Sequence, residues 1–248
     1  MAAAVKLHRH VGRRRAARFL VEGPNLVEAA LRRGLVSEVF ATEAASTRFG
    51  AMLTDIPVSL VTDRAAKALS ETVTPVGLVA VCSLPETTLD DVSSRAARLV
   101  AVAVEISEPG NAGTLIRVAD AMGADAVVLA GNSVDPYNGK CLRASAGSMF
   151  SVPVVSGTEP TDVIASLSGA GLQVLATTVD GEVALDEADL TVPTAWLFGP
   201  EAHGLSADLA ASATHRVRIP MPGNAESLNV ASAAAICMYQ SALANRRS

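Results

Sequence analysis

The chain has 248 residues, half of them hydrophobic and 3% aromatic, which supplies enough apolar surface for one large or two ordinary domains and excludes disorder as a description of the whole. Its three cysteines, Cys82, Cys141 and Cys237, stand far apart with no C-x-x-C, so neither a disulfide framework nor a metal site is expected. The formal charge is −5, yet residues 1–84 carry 11 Lys and Arg against 7 Asp and Glu, whereas residues 85–248 carry 9 against 18.

The first 21 residues hold six Lys and Arg side chains, among them Arg9, Arg13, Arg14, Arg15 and Arg18, with His8 and His10 and no acid. Such a basic arm, residues 1–18, suits a phosphate backbone, for which affinity is largely electrostatic. A frayed, solubilising terminus is the other reading of the same composition. No secretory apolar region follows the arm, no apolar run approaches the ~20 residues of a membrane helix, and a cytoplasmic protein with no membrane partner is expected. From Phe19, FLVEG predicts a strand, Gly23-Pro24-Asn25 opens a helix and Gly34 stops it. VSEVFAT, a helix near 44–53, IPVSLV, a helix over 63–69 and VGLVAVCS continue the alternation, so a small α/β domain is expected over 1–84. The polar, acidic LPETTLDDVSSRAAR predicts a linker over 85–97.

Residues 98–248 begin with LVAVAVEI, the continuous apolar run of a strand covered on both faces. Helix GTLIRVADAM, strand ADAVVLA, helix GKCLRASAG, strand SVPVV, helix TDVIASLSGA, strands LQVLATT and TAWLFG, a short helix after Leu205, strand HRVRIP and an alanine-rich helix from Val230 follow. The pattern predicts an open, mainly parallel α/β sheet. With one Trp and two Tyr, base stacking is not the expected main binding device.

Ligands of open parallel sheets sit beyond the carboxyl ends of the strands, and three of those loops are unusually polar. In EISEPGNAGTLIRVADAMG the stripe Leu115, Val118, Ala119 and Met122 faces the sheet and turns Arg117 outward. The plainer alternative has Asn111 capping the helix and Arg117 paired with Asp120 at the surface. In LFGPEAHGLS, Gly199 and Gly204 bracket Glu201, giving backbone that can approach a ligand and a lone carboxylate; an ordinary strand-to-helix loop is the alternative. In IPMPGNAESLNVASA, Pro220 and Pro222 end the strand, and Ser227 and Asn229 stand at a helix mouth, where they cap the helix or hold a ligand. The chain has no G-x-G-x-x-G after the first strand of either half, no G-x-x-x-x-G-K-[ST], no G-x-S-x-G and no H-E-x-x-H, so the nicotinamide, nucleoside triphosphate and metal-hydrolysis classes lose their usual support.

Taken together and in this order, N-A-G-T-L-I-R at 111–117, L-F-G-P-E-A-H-G-L-S at 197–206 and I-P-M-P-G-N-A-E-S-L-N-V-A-S-A at 219–233 resemble the three motifs of the SpoU family of the SPOUT superfamily, with R-A-S-A-G at 143–147 fitting the segment between. F-L-V-E-G-P-N-L-V-E-A-A-L at 19–31 resembles the family's small ribosomal-protein-like RNA-binding domain. The resemblance implies a C-terminal α/β domain with a parallel sheet and a deep trefoil knot, a homodimer, and S-adenosylmethionine-dependent methylation of an RNA ribose 2'-hydroxyl. Its N-terminal domain looks like that of ribosomal RNA modifiers, including the thiostrepton-resistance type, so 23S ribosomal RNA rather than transfer RNA is the implied target. By the same resemblance Arg117, Asn111, Glu201, Ser227 and Asn229 form the reaction centre, Thr177, Gly199, Ile219, Met221 and Leu228 hold the cofactor, and Arg143 joins the basic arm in contacting RNA. A transfer-RNA enzyme, or a nonenzymatic RNA-binding protein retaining the fold, is the alternative.

Overall fold

The computed structural model describes residues 1–200 and 202–246. The chain starts with helix α1 (Ala2–Val5), one 3-10 turn (Lys6–His8) and α2 (His10–Ala16). The basic segment is therefore folded and not a frayed arm: Ala4 and Leu7 are buried beside Phe40, Leu69, Val79 and Val81. Strands β1 (Arg18–Glu22), β2 (Val36–Ala41), β3 (Val58–Leu60) and β4 (Leu78–Ser83) alternate with α3 (Pro24–Arg32), α4 (Glu43–Phe49) and α5 (Asp63–Ala68). They form a sheet in the order β1-β4-β2-β3, antiparallel except for the β2–β3 pair. Local chemistry sets the helix starts. Pro24 sits in the first turn of α3, where its missing N–H costs nothing, and the Thr42 and Thr62 hydroxyls accept from the Ala45 and Ala65 amides to cap α4 and α5.

Residues 85–97 are not the simple linker their polarity suggests. They carry α6 (Leu89–Ser93), started by a capping box in which Thr88 and Asp91 exchange side-chain and backbone hydrogen bonds. Val92 and Ala97 are buried in the core under the second sheet.

That sheet contains β5 (Leu99–Val104), β6 (Ala126–Ala130), β7 (Val154–Thr158), β8 (Gln173–Thr177), β9 (Val183–Ala184), β10 (Thr194–Phe198) and β11 (His215–Arg218). The order is β7-β6-β5-β10-β8-β11-β9, and every pairing is parallel. The connections carry α7 (Pro109–Ala121), α8 (Gly139–Ser145), α9 (Pro160–Gly169) and α10 (Ala207–Ala211), and α11 (Val230–Asn245) follows the last strand. β5, β6 and β10 are buried along their whole length, as strands covered on both faces must be. β11 enters between β8 and β9, two strands consecutive in sequence. The chain then returns to lay α11 against α7, β5 and β10, where the buried Trp196 indole donates to Ser241 Oγ at 2.9 Å. No described helix is long and apolar enough to cross a membrane.

The two sheets share a core. Phe19 and Leu26 belong to the same buried cluster as Leu142 and Phe150, and the Phe19 ring centroid lies 4.7 Å from that of Tyr137. α7 packs closely on α8. A Cβ at Gly113 would stand 2.4 Å from the Cys141 carbonyl oxygen and 2.7 Å from Ala144 Cβ, so the two backbones meet where only glycine fits. Gly113→Ala should therefore lower the unfolding free energy by about 1–3 kcal/mol in urea titration, and an unchanged midpoint would mean that the helices part freely.

Candidate active site

A cavity of about 690 Å³ opens beyond the carboxyl ends of β8, β10 and β11, within the size range of small-molecule sites. Thr177, Gly199, Ile219, Met221 and Leu228, expected at the cofactor, all line it, as does Ser227. Their contributions differ. The Thr177 hydroxyl donates to the Leu197 carbonyl at 2.8 Å, so it ties β8 to β10 and shapes the wall. At Gly199 a Cβ would lie 2.4 Å from the Leu205 amide nitrogen and 2.6 Å from the Gly204 carbonyl carbon. The loop's fold-back on itself demands that glycine, where the sequence suggested approach to a ligand. Thr178, also in the wall, holds a buried Oγ1 with no hydrogen-bond partner among the described residues. An orphaned hydroxyl beside a mixed polar and apolar cavity fits a ligand that has both an apolar face and hydrogen-bonding groups.

α7 and α11 meet at the cavity's rim. Asn229 Oδ1 accepts from the Ala231 and Ser232 amides at 2.9 and 3.4 Å, capping α11, while Asn229 Nδ2 donates to Asn111 Oδ1 at 3.2 Å. One amide thus starts α11 and links it to the beginning of α7. Asn111 is not the cap of its own helix. Glu108 takes that place, with Oε1 accepting from the Gly110 amide at 3.2 Å and from Lys140 Nζ at 2.5 Å. The Lys140 hydrogen bond, followed by that of the Gly110 amide, holds the Glu108 carboxyl below the usual carboxylate range. Two turns on from Asn111, Arg117 is exposed and makes no ion pair or hydrogen bond with a described residue, so the surface pair with Asp120 does not form. Ser227 is exposed at the cavity. Glu201 lies outside the described residues.

Sequence reasoning missed Arg216, which lines the cavity and is bound by Glu182 at 2.9 Å and Asp180 at 3.4 Å. The Arg216 amide and guanidinium hold the Glu182 carboxyl below its ordinary range. The pairing joins residues 34 apart, a separation that carries no local signal. The three thiols are buried, and desolvation pushes each from 9.0 to about 12, so none supplies a thiolate near neutral pH.

Of the basic residues expected on RNA, Arg9, Arg14, Arg15 and Arg18 are exposed and form no ion pair with a described residue. Arg143 lies 3.6 Å from Glu71. Arg13 corrects the expectation: it is 4% exposed and bonded to Asp135, a partner 122 residues away, and cannot face a phosphate from there.

Residues 98–239 match the SpoU rRNA Methylase family, and residues 2–80 match the MRM3-like substrate binding domain. The chain is 38% identical over 236 residues, 94% of its length and 92% of the relative's, to the 23S rRNA (guanosine(2553)-2'-O)-methyltransferase RlmP of Bacillus subtilis. The crystal structure of the SpoU methyltransferase AviRb from Streptomyces viridochromogenes in complex with AdoMet superposes with a TM-score of 0.88 at 31% identity, over 99% of this chain and 97% of that one. An AdoMet-bound rRNA methyltransferase from Sinorhizobium meliloti gives 0.87 at 29% identity, over 97% and 92%.

The two tasks of Asn229 are separable. Both Asn229→Ser and Asn229→Ala lose the bond to Asn111, but only Asn229→Ser keeps an acceptor for the helix amides, so in thermal unfolding Asn229→Ala should be the more destabilised of the two by about 1 kcal/mol. Equal costs for the two would show that the capping bonds contribute nothing.

Proposed function

The chain belongs to the SpoU rRNA methylase family, and we propose that it transfers a methyl group from S-adenosylmethionine to a ribose 2'-hydroxyl of 23S ribosomal RNA. The observation that carries this reading is the junction of the cavity with the Arg117 helix: the cavity rim at α11 and the start of α7 are joined through Asn229 and Asn111. The cofactor supplies an activated methyl on a sulfonium. The chain's own residues have three duties: to seat that donor, to align the hydroxyl in line with it, and to stabilise negative charge on the attacking oxygen.

Arg117 suits the last duty. A guanidinium stays protonated in proteins, so Arg117 does not take the hydroxyl proton, which leaves to water as the O–C bond forms and the donor's C–S bond breaks to leave a neutral thioether; its planar fork favours a developing alkoxide and a neighbouring phosphate. Asn111 and Asn229 fix the helix that presents it. Ser227 at the rim, together with Glu201, orients the ribose and the cofactor's amino-acid end. Thr177, Gly199, Ile219, Met221 and Leu228 form the adenosine pocket, mostly through backbone and apolar surface.

The exposed face of α11, with Ile236 37% and Tyr239 52% exposed, is apolar enough to pack on a second copy, and the active form is a homodimer through that face. The SPOUT fold implies a trefoil knot. Ribosomal RNA places the work in the cytoplasm. Domain duties follow the two sheets: residues 1–84 bind RNA, 85–97 join, and 98–248 catalyse.

Mapping ribose methylation in 23S RNA with and without the protein decides the reaction; identical maps would end this reading. Arg117→Ala and Arg117→Lys should lower turnover by about 10²–10³-fold while S-adenosylmethionine affinity in titration calorimetry stays within about twofold, and full turnover in both would remove Arg117 from the mechanism.

The phosphate contacts are tested by substitution, because deleting residues 1–18 would also remove Ala4, Leu7 and Arg13 from buried positions. Replacing Arg9, Arg14, Arg15 and Arg18 together by Ala should reduce the slope of log RNA affinity against log salt, by up to about one for each lost contact. A slope equal to that of the wild type would place the RNA elsewhere.

A further inference from the structure

The interface between the first 18 residues and the second sheet's loops contains a buried ion pair. Arg13 Nε and Nη2 contact Asp135 Oδ2 at 2.8 and 2.6 Å. Its Nη1 donates to the Leu7 and His8 carbonyls, each at 2.9 Å. The Asp135 side chain is 14% exposed, and His10 Nε2 lies 3.9 Å away. Two charges have been taken out of water, and removing either one strands the other. Asp135 is also built into the catalytic half. Its other oxygen accepts from the Tyr137 amide at 2.9 Å, and its carbonyl accepts from the Asn138 amide at 3.0 Å. Asn138 in turn caps α8 through the Lys140 amide at 2.8 Å. α8 meets α7 backbone to backbone at Gly113, and α7 carries Arg117. Next to Arg13 on α2 stand the exposed Arg14 and Arg15.

We propose that the Arg13–Asp135 pair is a positioning contact for the RNA substrate, fixing the basic face of α2 at a set distance from Arg117. This rests on the methyl-transfer reading above. The alternative role for Arg13, a phosphate ligand, predicts the opposite sign in one variant. Asp135→Asn removes a negative charge, so on electrostatics alone RNA should bind more tightly. A positioning pair instead requires KM for RNA to rise, about tenfold, with S-adenosylmethionine affinity unchanged.

The experiment is a double-mutant cycle in the full chain with Asp135→Asn, Arg13→Met and both together. KM for a 23S fragment and cofactor affinity are measured for each. If the pair positions RNA, the double variant is no worse than the poorer single variant, because one contact is lost in all three. Additive losses, or a fall in KM for Asp135→Asn, would overturn the proposal. If either single variant does not fold, Arg13→Lys, which keeps the charge and loses the planar fork, takes its place, with a KM for RNA equal to the wild type's counting against the pair. Amide hydrogen exchange of the RNA-free protein separates this idea from the choice of reaction. Asp135→Asn should speed exchange at Tyr137, whose amide bonds the Asp135 carboxylate, by about tenfold or more while α11 stays protected; unchanged exchange sinks the proposal even if the wild type methylates RNA, whereas a wild type that leaves 23S RNA unmethylated overturns the reading on which the proposal rests.

Discussion

The helix that carries Arg117, α7, is held by backbone contact. At Gly113 the absent side chain lets α8 pass so close that a Cβ would sit 2.4 Å from a carbonyl oxygen. With no side chain between them the two backbones pack directly on one another, an arrangement that a larger residue could not keep without shifting a helix. The salt bridge between Glu108 and Lys140 ties the same pair at their first turns, and the Asn111–Asn229 hydrogen bond adds α11. Arg117 extends from a rod fixed at both flanks. In the role proposed for Arg117 such preorganisation is useful, because nothing has to move when charge develops on the attacking oxygen.

The polar cluster between β11 and α11 shows how capping and function share residues. Asn229 spends its carbonyl oxygen on the first amides of α11 and its amino group on Asn111. The cap therefore fixes the rotamer that makes the second contact. A Ser or Asp there could also cap, but neither carries an N–H2 to reach across, which is a physical reason for Asn at this position.

Much of the fold was legible. β5, β6 and β10 are unbroken apolar runs, and strands buried on both faces have no other way to look. The helices of residues 2–16 were not, because α1 and α2 have no side-chain cap and no acid in their first turns. Their order comes from tertiary contacts of Leu7, Ala4 and Arg13 that local pattern cannot report. α6 hid in a polar stretch where Val92 and the later Ala97 are the buried anchors, and β9 is too short, at two residues, to show a period. At the site, four of the five cavity residues fall in the second and third motifs and Thr177 at the end of β8; all five came from the family resemblance, not from periodicity. The Arg216 pairs and the burial of Arg13 depend on partners 34 to 122 residues distant, beyond any sequence window.

The charge division gives the rigid interface its meaning. Residues 85–248, at −9, would on balance repel a phosphate backbone, and at physiological salt the attraction of the basic first third is screened within about 8 Å. A basic surface on a loose tether would draw RNA in yet leave the acidic half free to swing toward it. Docking α2 through a desolvated ion pair, with the shared core of Phe19, Tyr137 and Phe150 beneath it, removes that freedom. On the proposed reading the attraction is then delivered at one place relative to Arg117, and positioning adds to bulk charge.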